Sequence, residues 1–314
     1  MDAPPADATP SAPAPAAAAA PAPGDEQQVN PPDFKGEVET NNEIPSAAVL
    51  RAVEDHTVID SAGKFHTFKS LYSGPNVARR MLVIFVRHFF CGNCQEYLRT
   101  LSASITPEGL LALPVSTFVA VVGCGSHELI DHYVGETGCR FPVYADPTRR
   151  LYADLGMVRT LSMGPRPAYL QNKTVAHTVV SGIVQGLRQM KAGLATKSGD
   201  QKQVGGEFLF EPVSRALETP IQTPLVDGDD EEEGEEEEGE EKCVTWCHRM
   251  RTTRDHAEIP ELMEILGLEG AGAPGRDLKR WQKALATRKG SGLTMAGQMG
   301  RGSVDTTQTA VADS

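Results

Sequence analysis

Two cysteines three positions apart, Cys91 and Cys94, are the residues of this chain best suited to chemistry. A thiolate is a nucleophile, a second thiol nearby can trap the product as a disulfide, and such a pair can also hold a metal. Their surroundings favour the first use. Met81 to Val86 is an unbroken apolar run with the length and β-branched content of a buried strand, and it breaks at Arg87 and His88. Beyond the pair, Tyr97, Leu98, Leu101 and Ile105 recur at helical spacing. The cysteines therefore stand where a central strand turns into a helix. Unpaired N–H groups and the positive end of the helix dipole stabilise a thiolate there. Arg87 or His88 could lower the thiol pKa further, or simply end the strand.

The elements that must hold this site follow in order. Ile44 to Asp60 opens the ordered part, with Asp60-Ser61-Ala62-Gly63-Lys64 as a hairpin turn and Phe65 to Phe68 as the return strand. The cysteine helix stops before Pro107. Val115 to Val122 predicts a second buried strand, followed by a helix with Ser126 as N-cap. Asp146-Pro147 reads as an N-cap followed by a proline opening a further helix. Ala176 to Leu187 predicts an amphipathic helix, Gly205-Gly206 leads into a strand ending near Phe210, and Cys243 to Cys247 predicts a strand whose odd positions share one face. Asp255-x-x-Glu258 resembles a capping box for a helix running to Gly267, with Pro260 as an alternative start. Strand, helix, strand, helix in this order predicts parallel strands with right-handed crossovers.

Composition sets the limits. The net charge is −12, but Asp227 to Glu241 carries 12 acidic residues and no basic one, so the rest of the chain is neutral. A balanced body gives no field for nucleic acid. Residues 1–43 begin as an Ala/Pro-rich leader that cannot bury a core, and residues 268–314 form a second expected disordered segment. Between them, 44–267 is expected to be one domain with an acidic disordered insertion at about 222–241. A basic amphipathic stretch at 276–289 could meet a membrane surface, a partner or the acidic run. No transmembrane segment and no secretory signal are read, and six cysteines without such a signal are expected to be reduced thiols in a cytoplasmic protein. Structural zinc would need a second pair, for which Cys243-x-x-x-Cys247-His248 is the only candidate. Gly123-x-Gly125 lacks the rest of a dinucleotide fingerprint, and His56, His66, His127, His132 and His256 have no Ser or Cys companion at a recognisable spacing, so no hydrolase triad is read. No cofactor is expected.

Phe85-x-Arg87-His88-Phe89-Phe90-Cys91-Gly92-Asn93-Cys94-Gln95-Glu96-Tyr97-Leu98 is the first of several linked motifs. With it go Phe141-Pro142-Val143-Tyr144-Ala145-Asp146-Pro147, Leu151-Tyr152-x-x-Leu155-Gly156-Met157, Gln203 to Phe208 and Asp255-His256-Ala257. Together they resemble the peroxiredoxin-like AhpC/TSA family, closest to its peroxiredoxin-like 2 branch in a fungal-type version. The resemblance implies an α/β thioredoxin-like fold, a central mixed sheet with helices on both faces. It implies a redox-active Cys91/Cys94 pair that reduces peroxides or disulfides, with thioredoxin or glutathione as reductant. The chain departs from the family's Pro-x-x-x-Thr/Ser-x-x-Cys pattern: Cys91 stands where the threonine would be, and Cys94 aligns with the attacking cysteine. In the thioredoxin arrangement Cys91 attacks and Cys94 resolves; in the peroxiredoxin alignment the roles are exchanged. Gly205-Gly206 stands where thioredoxin has a proline. The rival reading is a non-catalytic adaptor of the same fold, acting through the acidic run and the basic tail.

Overall fold

The backbone is built on alternation within one strand, β3 (Arg80–Phe85), every residue of which is buried. Leu82 and Ile84 point to one face of the sheet and Met81, Val83 and Phe85 to the other. A slip of one residue would exchange the two sets, so the two cores fix the register. In this computed structural model, which describes residues 38–170, 197–213, 241–268, 286 and 288–292, β3 lies at the centre of a mixed sheet. Beside it runs β4 (Thr117–Gly123), parallel, from Arg80 opposite Thr117 to Phe85 opposite Val122. On its other side is β6 (Gly206–Pro212), antiparallel, with Phe85 opposite Gly206.

The remaining strands are β1 (Thr57–Ile59), β2 (Phe65–Thr67), β5 (Val143–Ala145), β7 (Lys242–Arg249) and β8 (Ser291–Gly292), giving the order β2-β1-β5-β4-β3-β6-β7-β8. The β1–β2 hairpin turns as expected at Asp60, whose Oδ1 accepts from Ala62 N and Lys64 N. Helices α2 (Gly92–Ser104), α3 (Pro107–Leu111), α4 (Ile130–Thr137) and α6 (Ile259–Leu266) share one core; α1 (Ala47–Val53) and α5 (Arg150–Asp154) share the other. A parallel βαβ unit continued by an antiparallel pair, with helices on both faces, is a thioredoxin-like α/β fold. Among the described residues no helix is long and apolar enough to cross a membrane.

Local chemistry moved several expected boundaries. Pro107 opens α3 rather than only ending α2, because Thr106 caps it by accepting from Gly109 N and a proline in the first turn sacrifices no hydrogen bond. The Asp255 capping box does not form. Glu258 is the N-cap position of α6, Pro260 lies in its first turn, and the Asp255 carboxylate accepts instead from Arg251 N. Ser126 precedes a 3-10 turn at His127–Leu129, so α4 starts at Ile130. Asp146 does organise the turn before α5 by accepting from Arg149 N and Leu151 N. In β7 the odd positions do not share a face. The register shifts beside Leu209/Phe210, leaving Thr245 as an extra residue. Val244 and Cys247 then face one core while Trp246 faces the other and Thr245 hydrogen-bonds Glu211.

Short segments beyond 44–267 also pack on this body. The Asn42 side chain accepts from Arg249 N and donates to Lys289 O, and β8 pairs with Trp246 and Cys247. The Ala176–Leu187 helix, the acidic run before Glu241 and the apolar positions of the basic tail lie outside the described residues. Of that tail, Arg288 pairs with Glu264, and Lys289 with Asp255 at 3.2 Å.

Candidate active site

Cys91 is the N-cap residue of α2, and Cys94 lies in the helix's first turn. Both are free thiols, buried against the core, with 4 % of Cys91 and none of Cys94 exposed. Three features hold the loop between β3 and α2. Tyr152 donates its hydroxyl to Val86 O at 2.7 Å and Val122 O at 3.0 Å, tying together the strands where they part. The Gln95 side chain donates to Phe89 O at 3.1 Å. Phe89 packs against Tyr133 and lies over Gly123, where a Cβ would stand 2.4 Å from its ring.

Arg87 is the cation of the site. Its Nη1 donates to Cys91 Sγ at 3.0 Å. The rest of the guanidinium is spent on carbonyls: Nε on Gln203 O at 3.1 Å, Nη2 on Gln201 O, and Nη1 also on Thr253 O at 3.5 Å. The loop before β6 and the loop after β7 thus aim this charge at the sulfur. A hydrogen bond from Cys94 and then the Arg87 charge, working against burial, hold the Cys91 thiol well below its ordinary value. Burial and the neighbouring Cys91 push the Cys94 thiol well above its own. His88 has a lesser part. Burial pushes it down to about 4, so at neutral pH it brings no charge to Cys91.

The loop before β6 reaches the site because Gly205 has no side chain: a Cβ there would stand 1.8 Å from Phe85 O. The Gly-Gly entry to β6 therefore reflects close backbone approach, and among the described residues no peptide bond is cis.

One group lay beyond reach of the sequence reading. His256, far along the chain, places Nε2 3.3 Å from Cys94 Sγ. Its Nδ1 is 2.5 Å from Glu207 Oε1, and its ring stacks on Tyr97 with centroids 4.2 Å apart. No sequence spacing links His256 to a cysteine; the two meet through the fold, across 162 positions. The one signal was the Asp255-His256-Ala257 motif. Cys124 and Cys139 are buried, and burial pushes the Cys124 thiol up to about 12. Among the described residues no group of three or more His, Cys, Asp or Glu is placed to hold a metal ion.

The chain is similar to known proteins in sequence. The family model for AhpC/TSA antioxidant enzymes matches residues 100–218, a stretch that begins just past the cysteine pair. Peroxiredoxin-like 2C of Bos taurus is 32% identical over 219 residues, covering 69% of this chain and 79% of the relative. The protein of the same name from Takifugu rubripes is 31% identical over 226 residues, covering 70% and 82%. Among solved structures, a peroxiredoxin-like protein from Aquifex aeolicus aligns over 74% of this chain and 88% of its own, with 10% identity and a TM-score of 0.36. On the extent and identity of the sequence matches, this chain belongs to the peroxiredoxin-like AhpC/TSA family.

Proposed function

We infer that the protein is a thiol-dependent oxidoreductase that reduces a small peroxide through Cys91 and Cys94. The observation that carries this reading is the Arg87 guanidinium held 3.0 Å from Cys91 Sγ at the head of α2. A buried arginine fixed by three carbonyls and pointed at a sulfur favours a standing thiolate. The near-complete burial of that sulfur favours a small oxidant.

The Cys91 thiolate attacks a peroxide oxygen. The O–O bond breaks, the leaving oxygen takes a proton and departs as an alcohol or water, and Cys91 becomes a sulfenic acid. Cys94, one turn on, then displaces the hydroxyl as water and closes a Cys91–Cys94 disulfide. An external thiol of the thioredoxin or glutathione kind reopens it, as a reducing compartment such as the cytoplasm would supply.

The test is turnover. Protein fed hydrogen peroxide or an alkyl hydroperoxide, with thioredoxin, its reductase and NADPH, should consume NADPH. Cys91→Ser should abolish consumption, and Cys94→Ser should leave one oxidation per protein without turnover. Consumption no faster than with free cysteine would overturn the reading and favour the adaptor.

A further inference from the structure

The resolving step poses a problem that Cys91 does not. Cys94 must be a thiolate to attack, yet its sulfur is wholly buried beside a thiol already favoured as an anion. Water cannot take the proton there. The polar side chain at hand is the imidazole of His256, with Nε2 3.3 Å from Cys94 Sγ and Nδ1 2.5 Å from Glu207 Oε1. All three side chains are fully buried. The ring is fixed on every side: it stacks on Tyr97, its backbone N–H donates to Tyr169 Oη, and its carbonyl accepts from Lys289 Nζ at 2.8 Å. Glu207 reaches it from β6, beside the central strand.

We propose that His256 and Glu207 form a buried proton relay for Cys94: His256 Nε2 takes the Cys94 proton as the disulfide closes, Nδ1 passes one to Glu207, and the sequence reverses when the disulfide is reduced. The proposal rests on the redox reading above. In the closing step the Cys91 S–O bond breaks and the S–S bond forms. The Cys94 proton is replaced across the ring by one on the Glu207 carboxylate, and the displaced hydroxide takes a proton from solvent as it leaves as water, so closure draws one proton from solvent and leaves one on Glu207 until the disulfide is reduced. On reduction, an external thiolate attacks Cys91 and Cys94 leaves as a thiolate that recovers its proton from Nε2. Because one proton enters the ring as another leaves, the imidazole stays neutral. Burial supports this division, pushing His256 down to about 3 and Glu207 up to about 7. The ring is thus a conductor, and the carboxylate accepts the proton near neutral pH. A general base of this kind contributes roughly 100-fold or more to the step it serves. His256 touches the reacting sulfur and is catalytic; Glu207 acts through it as a positioning and proton-accepting residue.

The experiment separates the two chemical steps in the full-length protein. Cys91 sulfenic acid is trapped with dimedone, and disulfide closure is followed by quenched intact mass after one equivalent of hydrogen peroxide. Glu207→Gln keeps an oxygen for Nδ1–H and the shape of the site but cannot accept a proton. It should form the sulfenic acid within twofold of the parent rate and close the disulfide at least tenfold more slowly. Glu207→Asp should recover part of the loss, and His256→Gln should slow closure about 100-fold. Closure at the parent rate in Glu207→Gln would overturn the relay while leaving the redox reading intact. A parent protein that forms neither sulfenic acid nor disulfide would sink both. Should the variants fail to fold, imidazole ¹⁵N shifts of the reduced parent at pH 8 decide: a proton on Nδ1 with Nε2 bare is expected, and a proton on Nε2 contradicts the relay.

Discussion

Replacing Arg87 tests the reasoning about the nucleophile at its narrowest point. The guanidinium stands 3.0 Å from Cys91 Sγ, where two unit charges would attract by about 5.5 kcal/mol at an effective dielectric of ~20. That figure is a ceiling, since desolvation opposes it. A hydrogen bond to a charged group is worth about 1.5–3 kcal/mol net. Losing it should lower the Cys91 thiolate population, below the pH where the thiol itself ionises, by about 10- to 150-fold. Arg87→Met removes charge and donor together. Arg87→Lys keeps a charge but cannot serve Gln203 O, Thr253 O and the sulfur at once, so it should fall in between. The assay is the second-order rate of Cys91 alkylation by iodoacetamide at pH 6.5. It is run in Cys94→Ser, whose hydroxyl retains a donor to Cys91, with peptide mapping and a thermal melt of each variant. If Arg87→Met, still folded, alkylates as fast as its parent, Arg87 does not set the thiolate and the electrostatic account of the site fails.

Further consequences concern stability. Burial holds His88 at about 4 and His256 at about 3, below the 6.5 of an exposed imidazole, so the unfolded chain binds these protons first and stability falls as pH drops from 6.5 toward 4. Burial lowers His248 in the same sense, while Glu207, raised to about 7 from 4.5, and Glu261, also raised, oppose, so three protons against two leave a net slope near that of one proton. Unfolding free energies from urea melts between pH 6.5 and 4.5 should then fall by about 1.4 kcal/mol per pH unit, and a flat profile would contradict the neutral buried histidines. Gly205→Ala would put a Cβ 1.8 Å from Phe85 O, forcing β6 away from β3. It should cost about 1–3 kcal/mol and slow Cys91 alkylation by loosening the carbonyls that hold Arg87; unchanged melting would refute the close approach. Arg80 joins Glu211 at 2.5 Å and donates to Ile265 O and Leu266 O at the end of α6, all buried. Arg80→Met should therefore cost about 3–5 kcal/mol in denaturant unfolding, and a loss below 1 kcal/mol would count against it.

Much of this was legible in the sequence wherever the physics is local. Met81 to Val86 reads as a buried strand because every residue is apolar, and Asp60 to Lys64 as a turn because an aspartate can accept its neighbours' N–H groups. Cys91 and Cys94 were placed at a helix head from the strand before them and the apolar period after them. Long-range partners leave no such mark. His256 and Glu207 meet Cys94 only because β6 lies antiparallel to β3 and the loop after β7 folds back beneath α2. The Thr245 bulge was equally hidden, since two-residue alternation carries no sign of an extra residue. Arg87 was visible as a residue next to the site, but its choice over His88 depends on the carbonyls of Gln201, Gln203 and Thr253.

The most direct test of the central claim is intact mass of the reduced protein during titration with a small excess of hydrogen peroxide, followed by peptide mapping. The account predicts rapid loss of two hydrogens, mapped to a Cys91–Cys94 link that thioredoxin reverses, with Cys91 oxidised first when Cys94 is replaced by serine. Thiols that stay reduced, or that oxidise no faster than free cysteine, would contradict it.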